Sequence, residues 1–285
     1  MTFRMNLACE QAALIFSFVL LSGCAAVGTG PVLLQPLPPD PGPVCVDSRT
    51  DPKGPAECGR RLDAYVRRNI AATVVIMPIA YSERDGSLQK VGTGAVISAD
   101  GLVLTAYHVI AGAEYITAEI RSANLDQGIL VIPVKTIPME IVGTWPERDI
   151  ALLRPRHPTT FPAVLRADLN WRPEPGELLW HFGQASVGLR GAVTGPAVDD
   201  LQLQAADRTT RMSGLMIMST ACRNGDSGGP VVDLAGRLVG IALASPEKGE
   251  NPTYFLPVSA IPEAFQNAPG NAELTPAETG RDAPE

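Results

Sequence analysis

The sequence predicts an all-β protein in two halves, on two observations. From residue 73 onward short apolar runs alternate with Gly, Pro and Asp turns: 73–80, 91–97, 101–104, 115–120, 129–134, 139–142 and 149–153, then 177–182, 187–194, 215–219, 230–232, 237–243 and 253–258. Runs this short, bounded by turn residues, read as strands, since a helix needs a longer stretch of 3.6-residue periodicity. A proline-rich stretch from Pro155 to Pro175 then divides the runs into two groups, as two barrels meeting at a cleft would require.

In chain order, Arg4 supplies a thin positive region. Ala12 to Leu21 are apolar, too short to span a bilayer but suited to a signal-peptide core, and residues 1–23 are expected to be that signal. Residues 24–59 hold Pro31, Pro36, Pro38, Pro39, Pro41, Pro43, Pro52 and Pro55, which favours extended, semi-rigid chain over a packed core; a tether is expected. Leu62, Tyr65, Val66 and Ile70 recur at near-helical spacing and predict one short helix from Arg60 to Ile70. The domain so opened covers 60–267, with one half at about 70–155, the other at about 175–258, and a closing helix over Ser259 to Asn267. Residues 268–285 are expected to be a disordered tail.

Composition suits a globular enzyme. At 285 residues and 45% hydrophobic the chain can bury a good core. A net charge of −7 and a pI near 5.1, with no basic run, exclude nucleic acid as a partner. His157 and His181 have no acidic or cysteine partners at ligand spacing, so neither metal nor cofactor is expected and both read as surface or strand residues.

Three motifs carry chemistry, in this order: Thr105-Ala106-Tyr107-His108, Asp149-Ile150-Ala151-Leu152-Leu153 and Gly225-Asp226-Ser227-Gly228-Gly229-Pro230. A serine hydroxyl is a poor nucleophile near neutral pH. It needs a histidine to take its proton and a carboxylate to hold that histidine in the right tautomer, roles that His108 and Asp149 fill for Ser227. The glycines let the backbone turn so that the amides of Gly225 and Ser227 converge on a developing oxyanion.

Gly225-x-Ser227-x-Gly229 also fits the nucleophile elbow of α/β-hydrolases, but there the histidine follows the serine, and all three histidines here precede Ser227. Ile141-Val142-Gly143 looks like the new N-terminus of a cut zymogen; it lies after His108, so cutting there would split the domain, and it is read as a strand. Gly92-x-Gly94 lacks the third glycine of a dinucleotide loop and is read as a hairpin feature.

With these residues the chain resembles the chymotrypsin-like serine proteases, and more closely their bacterial high-temperature-requirement A (HtrA or Deg) branch, over roughly residues 70 to 260. The resemblance extends to Gly92-Thr93-Gly94-Ala95-Val96-Ile97-Ser98-Ala99-Asp100-Gly101, Ile141 to Asp149, Pro175-Gly176-Glu177 and Asp233 to Ile241. It implies two six-stranded antiparallel barrels with the active site in the cleft between them, acting on protein or peptide substrates. It also implies a specificity pocket with Ala221 as floor and Leu243, Ala244, Ser245 and Thr253 as walls; none is acidic, so a small or medium apolar residue should precede the scissile bond. With eighteen residues after Asn267, the PDZ domain that most relatives of this branch carry is not expected here. In trypsin-like zymogens the aspartate before the nucleophile pairs with a newly cut α-amine. Asp226 occupies that place, and an internal donor is expected instead, Arg223 ahead of Arg211.

Leu21-Ser22-Gly23-Cys24 resembles a bacterial lipobox, which implies an acylated Cys24 as first mature residue and attachment to the membrane through its lipid. Ala25 after the cysteine favours the outer membrane, facing the periplasm. In that oxidising compartment Cys45 pairs most simply with Cys58, a closure contributing about 3 kcal/mol that leaves Cys222 free; the alternative arrangement pairs Cys222 with the N-terminal segment and ties that segment to the active site. The expected protein is thus a lipid-anchored serine endopeptidase of the bacterial envelope. The alternative is a non-catalytic chaperone or binding lipoprotein that keeps the fold. Oligomeric state has no sequence signature here.

Overall fold

Gly54-Pro55 sets the first element. Proline at the first helical position gives up an N–H that has no partner there anyway, and helix α1 runs over Pro55–Ala71. The computed structural model describes residues 44–261, apart from 46, 48, 83–85, 125–129, 198–200, 206–207 and 245–251. The helix starts earlier than the expected Arg60, because Pro55 opens a helix rather than extending the chain. The last part of the expected tether is also packed. Val44 is buried and donates its N–H to the Leu234 carbonyl at 2.9 Å, and Cys45 is joined to Cys58 with Cα atoms 5.2 Å apart. The signal segment, Cys24, the first part of the tether, the tail and all but the start of the closing helix lie outside the described residues.

After the helix come β1 (Thr73–Ser82), β2 (Gly86–Gln89), β3 (Gly92–Val96), β4 (Val103–Ala106), the one-turn helix α2 (Tyr107–Ile110), β5 (Tyr115–Asn124), β6 (Leu130–Trp145), a 3₁₀ turn at Pro146–Arg148 and β7 (Ile150–Pro155). Strands pair antiparallel in the order β1-β3-β4-β7-β6-β5, and β5 returns to β1 to close a six-stranded ring, with β2 added to the outer end of β1. Two expected runs, 129–134 and 139–142, are one strand. Pro133 and Pro138 stand inside β6, in the half that pairs only with β5, since pairing to β7 begins at Met139. A strand with one free side can accept a residue that has no N–H to give.

The second half supplies β8 (Leu178–Phe182), β9 (Val187–Pro196), β10 (Leu201–Gln204), β11 (Thr209–Met212), β12 (Met216–Met218), β13 (Pro230–Val232), β14 (Leu238–Ala244) and β15 (Thr253–Pro257). Six of them close as β12-β15-β14-β13-β8-β9, and β10 and β11 make a separate hairpin. Two six-stranded antiparallel barrels are therefore the architecture, as expected. The hairpin was not, because its strands are short and largely polar.

Period-two alternation divides β8, β13, β14 and β15 of the second barrel between two cores. Leu179, Val193, Met218, Val231, Val239 and Phe255 fill its interior. Their neighbours Trp180, Phe182, Leu238, Ile241 and Leu256 join the larger core formed with the first barrel and α1. Tyr65 of α1 fixes that junction, its ring 5.6 Å from Trp180 and 6.3 Å from Phe182, its hydroxyl donating to the Asp233 carbonyl at 2.6 Å. Each large apolar side chain buried there contributes about 1.5–3 kcal/mol, so helix and barrels hold one another in register.

Candidate active site

The first barrel supplies a histidine and a carboxylate. Strand β4 runs into α2, whose N-cap position holds Ala106, a residue with no side-chain acceptor. Asp149 serves in its place. Its carbonyl accepts the Tyr107 N–H at 2.9 Å, and its Oδ1 accepts the His108 N–H at 2.7 Å. Its Oδ2 stands 2.7 Å from His108 Nδ1. Asp149 is buried and left-handed (φ 53°), the one non-glycine residue at positive φ among the described residues; aspartate tolerates that region better than most, and such strain clusters at working sites. With Nδ1–H directed at the carboxylate, the tautomer is assigned with Nε2 as the free base.

Ser227 stands on the turn before β13, where Gly225 (φ 96°) and Gly228 (φ 83°) are left-handed. A Cβ on Gly228 would lie 2.3 Å from both the Thr93 carbonyl oxygen and Thr105 Oγ1, so only glycine fits. That contact, with the Thr93 N–H donating to the Ser227 carbonyl at 2.8 Å, lays the Ser227 turn against β3 and the end of β4, the strand that leads into His108. The Ser227 hydroxyl itself donates to the Leu243 carbonyl at 2.8 Å. Among the described residues the N–H groups of Gly225 and Ser227 have no protein acceptor.

Asp226 lies beneath this turn, fully buried. Its carboxylate accepts the N–H groups of Ala185 (2.8 Å), Ser186 (3.0 Å) and Arg223 (2.9 Å), and the Ser186 hydroxyl. The expected cationic partner is not what the structure provides: Arg223 gives its backbone N–H while its side chain, like that of Arg211, is exposed. Fixed amides give the buried carboxylate its donors, and the guanidinium that feels its charge is the buried Arg121 rather than either expected arginine. Nearby, burial lowers the pKa of His181 and keeps the ring neutral. It lies on β8 but is fully buried, which excludes the surface placement. Cys222 is a free, buried thiol pushed up to about 12 by burial and by the Asp226 charge, and so chemically inert. Arg121, buried on β5, donates to the Gly183 carbonyl at 3.1 Å.

Of the residues assigned to the specificity pocket, Ala221 is half-buried and Leu243 is buried. Thr253 is buried too, its hydroxyl donating to the Thr220 carbonyl at 2.8 Å. The Ala244 side chain and all of Ser245 lie outside the described residues. Sequence reasoning missed Thr93, Arg121, Gln184 and Ser186, which hold the Ser227 turn and its support. Only Thr93 had a signal, its place between two glycines.

Residues 92–241, a span that contains His108, Asp149 and Ser227, match the family model of the trypsin-like peptidase domain. The chain is 31% identical over 188 residues to serine protease HTRA1A of Danio rerio, covering 62% of this chain and 36% of that one. It is 28% identical over 170 residues to a probable periplasmic serine protease do/HhoA-like of Haemophilus influenzae, covering 59% and 34%. The matched region is thus little more than a third of either relative's length. Among solved structures, the HtrA-type protease AlgW with a tripeptide shares the fold, with a TM-score of 0.53 at 22% identity over 71% of this chain and 61% of that chain.

Proposed function

The chain belongs to the trypsin-like peptidase family, and from that premise we propose that it is a serine endopeptidase held at the bacterial envelope by an acylated Cys24. The observation that carries the reading is the His108–Asp149 pair, with Nδ1 2.7 Å from the carboxylate, on the barrel against which the Ser227 turn is laid.

The Ser227 hydroxyl turns about χ1 from the Leu243 carbonyl to His108 Nε2, a picosecond-to-nanosecond event for a side chain that is not fully buried. As Oγ attacks the scissile carbonyl, Nε2 takes the hydroxyl proton, and Asp149 stabilises the imidazolium without itself being protonated. The N–H groups of Gly225 and Ser227 donate to the oxyanion, each worth about 3 kcal/mol of transition-state stabilisation. His108 passes the proton to the leaving amine. It then activates the water that releases the acyl group and regenerates the Ser227 hydroxyl.

That the Ser227 hydroxyl rests on Leu243 favours a second reading, a non-catalytic chaperone or binding lipoprotein on the same fold. A fluorophosphonate separates the two. The endopeptidase is labelled at Ser227 in the purified wild type, and a protein that stays unlabelled at high reagent concentration is not one.

The proposed pocket of Ala221, Leu243, Ala244, Ser245 and Thr253 has no carboxylate to pair with a basic side chain, whose unpaired burial is costly. Cleavage after Ala or Val is expected on a peptide library, and strict cleavage after Arg or Lys would refute the pocket. For the anchor, Cys24→Ser is expected to abolish lipid labelling and move the folded protein to the soluble periplasmic fraction, since stable attachment depends on the acyl chains. Unchanged membrane retention in that variant sinks the lipoprotein assignment.

A further inference from the structure

Thr93 on β3 is fully buried and belongs to the opposite barrel from the nucleophile turn, yet two of its polar groups make three hydrogen bonds to that turn or its support. Its hydroxyl donates to the Gly225 carbonyl at 2.6 Å and accepts the Gln184 N–H at 2.9 Å. Its N–H donates to the Ser227 carbonyl at 2.8 Å. Its own carbonyl is held in turn by the Thr105 hydroxyl at 2.6 Å. A threonine hydroxyl has a single proton, so the donation to Gly225 cannot be shared. The Gln184 bond reaches the same four-residue turn, 183–186, whose next two amides hold Asp226.

We propose that Thr93 is a positioning residue for peptide hydrolysis, its hydroxyl fixing the Gly225 carbonyl so that the N–H groups of Gly225 and Ser227 keep a common aim. Of the turn's glycines among the described residues, Gly225 is the one with no backbone–backbone hydrogen bond. Without a Cβ it moves between left- and right-handed conformations at little cost, and each such excursion rotates its N–H away from the oxyanion. Backbone bonds hold the turn at Asp226, Gly228 and Gly229, whereas the Gly225 carbonyl is held by this side chain. Fixed donors act mainly where charge develops, in the transition state, so the hydroxyl should govern turnover rather than substrate binding.

The proposal rests on the endopeptidase reading, and its test keeps the two apart. Thr93→Val retains the shape and removes the hydroxyl; Thr93→Ser restores the hydroxyl. For Thr93→Val, kcat should fall about 10- to 100-fold with KM within about twofold, less than the loss of an oxyanion donor outright. Affinity for a peptide boronate, whose tetrahedral adduct uses the same donors, should fall in parallel, and Thr93→Ser should recover most of both. Hydrogen-exchange mass spectrometry of a peptide spanning 222–229 should show faster exchange in Thr93→Val alone. Wild-type kcat in a folded Thr93→Val overturns the proposal. So does a loss that follows the melting temperature and is not recovered by Thr93→Ser. If the wild type is neither labelled nor hydrolytic, the endopeptidase reading fails instead. Exchange then decides the anchoring by itself, and equal protection in wild type and Thr93→Val overturns it.

Discussion

Ser227→Ala will lower peptide hydrolysis about 10⁴-fold or more, and His108→Ala by a similar factor. In the proposed mechanism the two residues act as one unit. Without the hydroxyl there is no acyl-enzyme, and without Nε2 there is no base to take its proton, so the double variant should be little worse than either single one. Asp149→Asn should also be severe, for a reason visible in the geometry. Oδ2 lies 2.7 Å from Nδ1, and an amide nitrogen placed there would donate to Nδ1, leaving the proton on Nε2 where the base is needed. The remaining carbonyl oxygen can still accept the His108 N–H that Oδ1 accepts now, so this variant should fold while losing about 10⁴-fold in kcat. Steady-state hydrolysis of a fluorogenic peptide checks all four. Full activity in Ser227→Ala would mean that the nucleophile lies elsewhere.

The site divides cleanly into what sequence shows and what it does not. His108, Asp149 and Ser227 were legible as candidates because each sits in a short motif whose flanking residues have a local job: β4 before the histidine, the tight turn before the acid, glycines on both sides of the serine. Both barrels were legible for a similar reason, since apolar runs and turn residues are local signals. The failures are also physical. The prolines in β6 hide one long strand, because a strand paired on one side tolerates what a central strand does not. Strands β10 and β11 are short and largely polar, so no apolar run marks them. Thr210 of β11 nonetheless donates to the Pro146 carbonyl at 3.2 Å, beside the turn that carries Asp149. The support of Asp226 was invisible for a different reason. Ser186 and Ala185 lie about forty residues away in sequence, and nothing in the composition of a Gly-Gln-Ala-Ser turn says that its amides face a carboxylate.

That support leads to the second large effect. A protease of this kind that has to be cut before it works uses a new α-amine to hold the aspartate before the nucleophile. Here the Asp226 carboxylate already accepts three backbone N–H groups and the Ser186 hydroxyl. No donor is left for a terminal amine to supply. The protein should therefore be equally active behind an arbitrary N-terminal tag and after the tag is trimmed, starting from residue 44 so that Cys45 keeps its bond to Cys58. Removing the carboxylate by Asp226→Ala strands those donors in a buried site at about 1–3 kcal/mol each, and frees the turn that aims Gly225 and Ser227. The expected result is a lower melting temperature and a kcat reduced by about 10²–10³-fold. Gly183→Ala probes the same contact from the other side without touching a hydrogen-bonding group, because a Cβ there would lie 2.1 Å from Asp226 Oδ1. It should push the carboxylate off its amides and lower kcat in the same way, as measured by peptide hydrolysis beside thermal unfolding. Activity that appeared only after trimming would show that a zymogen-like switch exists, and Asp226 would then be the receptor of the new amine rather than an anion already satisfied by its own chain.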